Sequence, residues 1–377
     1  MSRDLIDLLT DLVTIDSVNP SLVPGAAGEA AAAEHVLQWA VTAGLSTQLL
    51  DAHPGRPSVV VRGGEAAGGP TLLLCGHLDT VGVGGMTDPF VPRIDGDRLY
   101  GRGAYDMKAG LAAALIACRD AARAGIAGEV VVAAVADEEH SSVGVREVLE
   151  QVDADAAIVT EPTELTVATA HKGFVWVEIE VLGTAAHGSR PHLGVDAILK
   201  TGPILVALAD LDEQLRVRRH PRLGPGTLHA SLIGGGHEES TIPDRCVLTF
   251  ERRTLPGETA ADVERDVVNL LARCRRADPD LAATHRTTLV REPFDVPDTA
   301  PIVAAVTEAA TDVLGHRPEL TGVSYWADAA FIAAAGISTV VFGPSGDGAH
   351  AEVEWVDIDA TVACARTLTS AARRFCR

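Results

Sequence analysis

Apolar and polar residues follow two different periods along the first 160 positions. Short apolar runs predict strands over 57–62, 70–76, 129–136 and 156–160. Amphipathic stretches predict helices over 3–14, 27–44, 107–124 and 142–151. Strands that alternate with helices indicate crossover connections and a mainly parallel sheet covered on both faces. The sequence therefore predicts an α/β domain.

The order of elements changes at about residue 174. A strand, a long helix, two strands, a helix and a strand follow, which is the βαββαβ order of ferredoxin-like units. After about residue 293 the chain returns to α/β character, with predicted helices over 301–314, 327–335 and 358–375. The simplest interpretation is a large domain, residues 1–173 and 293–377, with a ferredoxin-like domain, residues 174–292, inserted into it.

The charge of the chain excludes one class of partner. A net charge of −21 argues against a protein that binds nucleic acid through phosphate contacts. The first residues carry acids where a secretory signal needs an apolar stretch, and no apolar run reaches membrane-spanning length. The six cysteines are scattered and form no CxxC pair. We expect a cytoplasmic protein with no nucleic-acid partner and no membrane association.

Polar clusters follow directly on the predicted apolar strands. His77 and Asp79 follow one strand, Glu138 and Glu139 follow the next, and Glu161 follows a third. In open α/β sheets, ligands bind at the carboxyl ends of the strands, so these side chains are expected to share one edge. At positions i and i+2 of an extended segment, His77 and Asp79 share a face, so the Asp79 carboxylate could hold the second ring nitrogen of a metal-binding His77.

Each of these residues also has an ordinary interpretation. His77 could be a hydrogen-bonded histidine at a strand end, and Asp106, directly before an Ala-rich helix, could be an N-cap. Glu161 and His350 could be plain loop residues, and the acidic run at Glu138 could be a solvated loop. Together they offer two imidazoles and three or more carboxylates, a donor set that suits zinc and also cobalt or manganese.

Five motifs occur in a specific order around the βαββαβ segment: GHLDT, GRGAYDMK, DEE, EP and GPSGDGAHAEVEW. In this order they resemble the M20 metallopeptidase family, which includes acetylornithine deacetylase, succinyl-diaminopimelate desuccinylase, aminoacylase and glutamate carboxypeptidase. The resemblance spans essentially the whole chain. It implies a catalytic domain of zinc-exopeptidase type with an inserted lid and dimerisation domain, and hence a homodimer.

The resemblance also implies a role for each site residue. It implies that the protein binds two divalent metal ions. Zinc is the expected ion, and cobalt or manganese are the alternatives. Glu138 resembles the general base, and Asp79 the residue that orients the first histidine. The implied metal ligands are His77 and Glu161 for one ion, Glu139 and His350 for the other, and Asp106 as the bridge.

Three residues of the inserted domain match the family by position. His187 resembles the lid histidine that stabilises the oxyanion, although from the residues alone His192 would serve as well. Arg253 resembles an arginine that binds a substrate carboxylate. The alternative interpretation is that Arg253 forms a structural salt bridge. Ser240 stands where the family commonly has Asn, and its hydroxyl can still donate one hydrogen bond.

These residues predict a two-metal hydrolase of an amide bond in a small carboxylate-bearing substrate, and favour deacylation of an N-acyl amino acid. A metallo-carboxypeptidase or dipeptidase and a desuccinylase-like deacylase are the alternatives. A serine hydrolase would need a GxSxG elbow and a dinucleotide-binding enzyme a GxGxxG turn, and neither occurs. A non-catalytic binding protein would lack the base or a metal ligand, and all are present.

Overall fold

The computed structural model of the protein describes residues 2–65 and 68–377. The chain divides into two compact units. Unit 1 contains the segment that ends at Thr169 together with Val296–Thr321 and Ala327–Arg377. Unit 2 contains Ala170–Asp295 and Gly322–Trp326. The return segment Gly322–Trp326 belongs to unit 2, although the sequence assigned it to the larger domain.

The helices and strands are numbered in chain order. The α-helices are α1 Ser2–Thr14, α2 Ala30–Ala43, α3 Ala109–Arg123, α4 Val143–Leu149, α5 Ala197–Leu215, α6 Ala260–Ala277, α7 Pro301–Leu314, α8 Ala329–Ala334 and α9 Ile358–Phe375. The strands are β1 Ser46–Leu50, β2 Ser58–Gly64, β3 Thr71–His77, β4 Arg93–Asp95, β5 Arg98–Tyr100, β6 Glu129–Val135, β7 Ala156–Val159, β8 Val167–His171, β9 Gly173–Leu182, β10 Ala186–His187, β11 Arg219–His220, β12 Gly224–Pro225, β13 Thr227–Gly235, β14 Thr241–Ile242, β15 Arg245–Thr254, β16 Ala282–Arg291, β17 Phe294–Asp295, β18 Leu320–Val323, β19 Ser338–Val341, β20 Gly346–Asp347 and β21 Trp355–Asp357.

The main sheet of unit 1 has the strand order β1-β2-β6-β3-β7-β19-β8. Its centre is parallel, because β6, β3, β7 and β19 pair with one another in the same direction. The strands on either side, β1 with β2 and β8, are antiparallel to their neighbours. The predicted α/β fold with a mainly parallel central sheet is confirmed, and the antiparallel edges add detail that the sequence did not predict.

The central strands are continuous apolar runs because helices cover them. Every residue of β6 and β7 is buried, as the Val- and Ala-rich sequences of parallel strands require. Helix α3 is Ala-rich, almost wholly buried, and contacts β2, β3, β6 and α9. Alanine is the best helix former and adds little bulk, so α3 can lie close to the sheet.

Two glycines of unit 1 permit backbone contacts that no other residue could accommodate. A Cβ atom at Gly110, on α3, would lie 1.9 Å from the carbonyl oxygen of Thr160. A Cβ atom at Gly343 would lie 2.2 Å from the carbonyl oxygen of Glu161. The segment Thr160–Glu161, directly after β7, is therefore held between these two glycines.

Helix α3 begins later than the sequence predicted. The prediction placed its start at 107, whereas regular helical geometry starts at Ala109. The preceding turn, Ala104–Lys108, contains two residues outside helical geometry, Asp106 with φ −114° and Met107 with φ −131°. The peptide bond between them is cis. The carboxylate of Asp106 thus belongs to an irregular turn and is not an N-cap.

Unit 2 has the βαββαβ order that the sequence predicted. Its four-stranded antiparallel sheet has the order β13-β15-β9-β16. Alternate residues of β9, from Val175 to Val181, are buried in one hydrophobic cluster with residues of α5 and α6. Thr259 and Asp262 form a capping box at the start of α6, so the helix boundary is fixed locally. Unit 2 therefore has a hydrophobic core of its own.

The part of the chain that the structure describes contains no helix that combines the length and apolar character needed to cross a membrane. All six cysteines are buried and unpaired.

Candidate metal centre

The four central parallel strands of unit 1 end at one edge of the sheet, and each is followed by a polar side chain. His77 is the last residue of β3, Glu138 and Glu139 follow β6, and Glu161 follows β7. His350 lies beyond β19, in the loop between the short strands β20 and β21. Because these strands are adjacent and parallel, their carboxyl ends lie side by side at the same edge of the sheet. The fold therefore brings together side chains that are up to 273 positions apart in the sequence.

Asp106 lies between the two histidines and faces both of them. Its Oδ1 is 3.2 Å from Nε2 of His77, and its Oδ2 is 3.2 Å from Nε2 of His350. Each imidazole also faces a glutamate. His77 Nε2 is 3.7 Å from Oε1 of Glu161, and His350 Nε2 is 3.2 Å from Oε2 of Glu139. The centre thus has two halves, each with one imidazole and one glutamate, that share the carboxylate of Asp106.

Glu138 belongs to the first half. Its carboxylate lies within 4.8 Å of the donor atoms of His77 and Glu161. Among the described residues no side chain or backbone group donates a hydrogen bond to this carboxylate, so Glu138 is free to exchange a proton with a bound molecule.

The orientation of His77 differs from the expectation. Its Nδ1 hydrogen-bonds to the backbone carbonyl of Asp79 at 2.8 Å, and the Asp79 carboxylate lies 3.8 Å away. His77 is the last strand residue, so the strand alternation on which the expectation relied does not extend to Asp79. The carboxylate of Asp79 instead accepts hydrogen bonds from the backbone N–H groups of Glu138 and Glu139, at 3.1 and 3.2 Å.

A buried polar network lies behind these two glutamates. Asn19 donates from Nδ2 to the carboxylates of both Asp79 and Asp137, at 2.8 and 3.0 Å. Arg56 pairs with Asp137 at 2.8 Å and with Glu29 at 2.6 Å. No sequence motif marks Asn19, Arg56 or Glu29, because they lie far from the two glutamates in the chain and have no recognisable spacing.

Glu354 was also missed. It is 1% exposed, and its carboxylate accepts four hydrogen bonds from the segment that precedes α3. Its only signal in the sequence is the alternation of acids and apolar residues from Glu352 to Trp355, a pattern shared by many surface strands. Its hydrogen bond with Arg102 joins residues about 250 positions apart, so the sequence alone does not indicate it.

The pKa values of the imidazoles reflect their carboxylate partners. Hydrogen bonds to Asp106 and Glu139 raise the pKa of His350 to about 10. Burial lowers the pKa of His77, but the hydrogen bond to Asp106 and the charge of Glu161 outweigh it, so the net direction is upward. The carboxylates therefore favour the protonated imidazoles, and a metal ion would compete with protons for the same ring nitrogens.

Burial has the opposite consequence for the glutamates. It raises the pKa of Glu138, Glu139 and Glu161, because a charged carboxylate loses solvation when it is buried. The negative charges of neighbouring carboxylates raise these pKa values further. Burial also acts to raise the pKa of Asp106, but the hydrogen bonds to the two imidazoles lower it below its usual range. Such a concentration of acids is costly unless cations offset it.

The donor set fits a pair of divalent ions. His77 forms one group with Glu138 and Glu161 and another with Asp106 and Glu139, and within each group the donor atoms lie within 4.8 Å of one another. Oε1 of Glu139 is buried without a hydrogen-bond partner among the described residues, which is unfavourable unless a ligand satisfies it. Imidazole nitrogens and carboxylate oxygens are the ligands that zinc and its neighbours accept.

The other three candidate residues lie in unit 2. His187 and Ser240 are adjacent there, because β10 pairs with β14 and Gly188 N donates to the carbonyl of Ser240 at 2.8 Å. His187 is exposed, and its Nδ1 lies 2.8 Å from the hydroxyl of Ser189. Arg253 donates from Nε to Glu251 at 2.6 Å, and its guanidinium lies over the ring of Phe174.

The salt bridge that was the alternative interpretation of Arg253 is therefore present. Among the described residues its two terminal nitrogens have no hydrogen-bond partner, so they stay available to a ligand.

The sequence matches the profile of Peptidase family M20/M25/M40 over residues 73–374. It is 32% identical over 328 residues to the acetylornithine deacetylase of Myxococcus xanthus, an alignment that covers 84% of this chain and 83% of that relative.

Two solved structures share the fold. Aminopeptidase PepT from Bacillus cereus superposes with a TM-score of 0.82 at 19% identity, over 100% of this chain and 99% of that one. A dinuclear metal-binding peptidase of the M20 family from Bacillus subtilis superposes with a TM-score of 0.77 at 16% identity, over 100% and 98%. The profile match extends over most of the 377 residues. The resemblance seen in the motifs is thus confirmed, and the chain belongs to peptidase family M20/M25/M40, a family of hydrolases.

Proposed function

We propose that this protein binds two divalent metal ions, zinc by preference, and uses them to hydrolyse an amide bond in a small carboxylate-bearing substrate. The observation that carries the proposal is the position of Asp106, whose two oxygens face two different imidazoles. A carboxylate in that position can bridge two cations. Cobalt and manganese accept the same donors and are the alternative ions.

Each ion has its own ligands in addition to Asp106. His77 and Glu161 would hold the first ion, and Glu139 and His350 the second. The pairing of His77 with Glu161 and of His350 with Glu139 supports this division.

Glu138 is the proposed general base. When bound, a pair of divalent ions would lower the pKa of a water molecule and polarise the amide carbonyl. Glu138 takes a proton from the attacking water as the new C–O bond forms, and returns it to the nitrogen as the C–N bond breaks. The products are a carboxylic acid and an amine. The free carboxylate of Glu138, beside His77 and Glu161, supports this role.

Asp79 is proposed as a positioning residue for this step. It holds the backbone N–H groups of both Glu138 and Glu139, so it fixes the base and one metal ligand with a single carboxylate. This role replaces the expected one of orienting His77 through the Asp79 side chain.

His187, Arg253 and Ser240 are proposed to bind the substrate. Nε2 of His187 has no hydrogen-bond partner among the described residues, and it could donate to the oxyanion that develops during hydrolysis. The two terminal nitrogens of Arg253 suit a substrate carboxylate. Ser240 can add one hydrogen bond to that carboxylate.

The proposed reaction is removal of the acyl group from an N-acyl amino acid. The similarity to an acetylornithine deacetylase along most of both chains supports this choice. The alternatives are a metallo-carboxypeptidase or dipeptidase and a desuccinylase-like deacylase. All three use the same metals, base and carboxylate anchor.

A substrate screen tests the proposed reaction. Protein loaded with zinc, cobalt or manganese is given N-acetyl, N-formyl and N-succinyl amino acids, with N-acetylornithine among them, alongside dipeptides. We expect the highest kcat/KM for an N-acetyl amino acid. Faster cleavage of a dipeptide would reject deacylation in favour of the peptidase alternative, and preference for an N-succinyl substrate would favour the desuccinylase alternative.

A homodimer is proposed from the exposed edge of unit 2. Strand β13 is at the edge of its sheet, and Leu232 and Ile233 on it are 70% and 56% exposed. An exposed apolar edge strand is a template for pairing with another chain, and pairing with a second copy satisfies twofold symmetry.

Replacing Leu232 with lysine is expected to convert the dimer to a monomer, because lysine at a sheet edge opposes pairing. Light scattering coupled to size-exclusion chromatography measures the mass. Val217→Lys, at a position of unit 2 that is 84% exposed and outside the sheet, is the control and should leave the mass unchanged. A monomeric wild-type protein, or a dimeric Leu232→Lys variant, would reject this interface.

A further inference from the structure

Glu354 has an unusual set of partners for a carboxylate that the metal centre does not use as a ligand. Its Oε2 accepts from Nη1 of Arg102 at 2.7 Å and from the backbone N–H of Gly103 at 2.9 Å. Its Oε1 accepts from the backbone N–H groups of Tyr105 and Asp106, at 2.9 and 3.1 Å. One buried side chain thus binds four donors from five consecutive residues.

The same group connects two loops of the candidate metal centre. Glu354 lies four positions after His350, and Arg102 lies four positions before Asp106. The guanidinium of Arg102 contacts the loop that carries His350 at two points, since Nη1 donates to Glu354 and Nη2 donates to the carbonyl of Ala351 at 2.8 Å. The Asp106 loop and the His350 loop are therefore fixed to each other through one ion pair.

The hydrogen bonds of Glu354 fix the backbone of the turn that carries Asp106. In the turn Ala104–Lys108, the N–H of Ala104 donates to the carbonyl of Gly101 at 3.1 Å, but the next N–H groups lie in the first turn, where no helical carbonyl is available to accept them. Glu354 supplies the acceptor for two of these N–H groups, including that of Asp106. The direction of the Asp106 side chain, with one oxygen towards each histidine, depends on the backbone that Glu354 holds.

We propose that Glu354, with Arg102, is a positioning residue that sets the distance between Asp106 and His350 and thereby the affinity for the metal pair. This inference rests on the proposed two-metal site. Glu354 acts through Asp106 and is not itself a ligand, because all four contacts of its two oxygens are N–H donors. Residues that support metal ligands in this way typically change metal affinity by about 10- to 100-fold when they are replaced.

Glu354→Gln is the test variant. Glutamine keeps the size of the side chain but replaces one acceptor oxygen with an N–H₂ group, which faces donors in a buried position. Glu129→Gln is the matched control, because Glu129 is also buried and paired with an arginine, Arg62, at 2.8 Å. Glu129 lies at the amino end of β6, whereas the metal centre is beyond the carboxyl end.

Metal affinity is measured by competition between each metal-free protein and a chromophoric chelator, with zinc and with cobalt. We expect the wild type and Glu129→Gln each to bind two ions, and the affinities of the two proteins to be the same. Glu354→Gln should bind at least one of them at least about tenfold more weakly. The visible absorption spectrum of the cobalt-loaded variant should also change, because the ligand geometry shifts.

Hydrogen exchange provides a readout that needs no metal. In the metal-free wild type, the amides of Gly103, Tyr105 and Asp106 should be protected, and in Glu354→Gln the peptide that contains them should exchange faster. Glu129→Gln should leave that peptide unchanged. A purely global loss of stability would speed exchange throughout unit 1 and would contradict a local positioning role.

Arg102→Lys decides the question if Glu354→Gln does not fold. Lysine keeps the positive charge next to Glu354 but cannot bind Glu354 and the Ala351 carbonyl with two rigid donors. We expect it too to weaken metal binding at least about tenfold.

Wild-type affinity for both ions in either folded variant would overturn the positioning role while leaving the two-metal site intact. Failure of the wild type itself to bind two ions would instead refute the proposed function, and this inference with it.

Discussion

Replacing Glu138 with glutamine is expected to lower kcat for amide hydrolysis by about 10²- to 10⁴-fold, the range attributed to general acid–base catalysis. The variant should still bind two metal ions, because the proposed ligands on both sides of the centre are unchanged. Glutamine has the shape of glutamate but cannot accept the proton of the attacking water. The rate is measured with the best substrate from the screen, and the metal content by elemental analysis.

Two controls separate this effect from damage to the site. Glu139→Gln, at the adjacent position, should lose metal as well as activity, because Glu139 faces His350 and has an unsatisfied buried oxygen. Glu150→Gln, at an exposed position after α4, should behave as wild type. An active Glu138→Gln enzyme that carries both ions would assign the base to another group.

Removing the metal ions is expected to lower the activity by at least about a thousandfold, since the several kcal/mol that metal ions supply to such reactions would be lost. Dialysis against a chelator should give a metal-free protein, and titration with zinc should restore the rate at two ions per chain. The melting temperature should fall in the metal-free form, because ligands that bind only the folded state stabilise it. Full activity in the metal-free protein would refute the proposed mechanism.

A histidine variant tests whether the two ions have separate ligands. His350 has φ 62°, a left-handed conformation that asparagine tolerates, so His350→Asn changes the ligand with little backbone strain. The variant should retain about one ion per chain, held by the His77 half of the centre. Loss of both ions, in a variant whose fold is intact by circular dichroism, would show that the halves do not bind independently.

The parallel strands explain why much of this site could be predicted from the sequence. The apolar runs of β3, β6 and β7 are unambiguous, and strands of that kind require parallel neighbours and a shared polar edge. Placing His77, Glu139 and Glu161 at that edge needs no knowledge of their contacts. The family resemblance was needed for the bridging role of Asp106, for the assignment of His350 and for the division of roles between Glu138 and Glu139. No local pattern determines the path of the Gly-rich loops or distinguishes two adjacent glutamates.

The supporting residues could not be predicted for a different reason. The Asp79 carboxylate was expected to bind the His77 ring, but it accepts from the backbone N–H groups of Glu138 and Glu139 instead. The strand ends at His77, two residues before Asp79, so the alternation does not apply, and the ring binds the Asp79 carbonyl. Asn19 and Glu354 act through hydrogen bonds to distant backbone groups. Such contacts depend on the tertiary fold, and a single sequence has no periodicity that records them.

The two glycines on either side of Thr160–Glu161 have a consequence for engineering this enzyme. Gly110 belongs to the helix that follows the Asp106 turn, and Gly343 to the loop that leads towards His350, so a methyl group at either would widen the spacing between metal ligands. A mutagenesis library intended to change the preferred metal should vary the donor atoms and keep both glycines invariant. Otherwise, the selection would recover proteins in which the ligands are spaced further apart, and not proteins in which the donor atoms prefer a different metal.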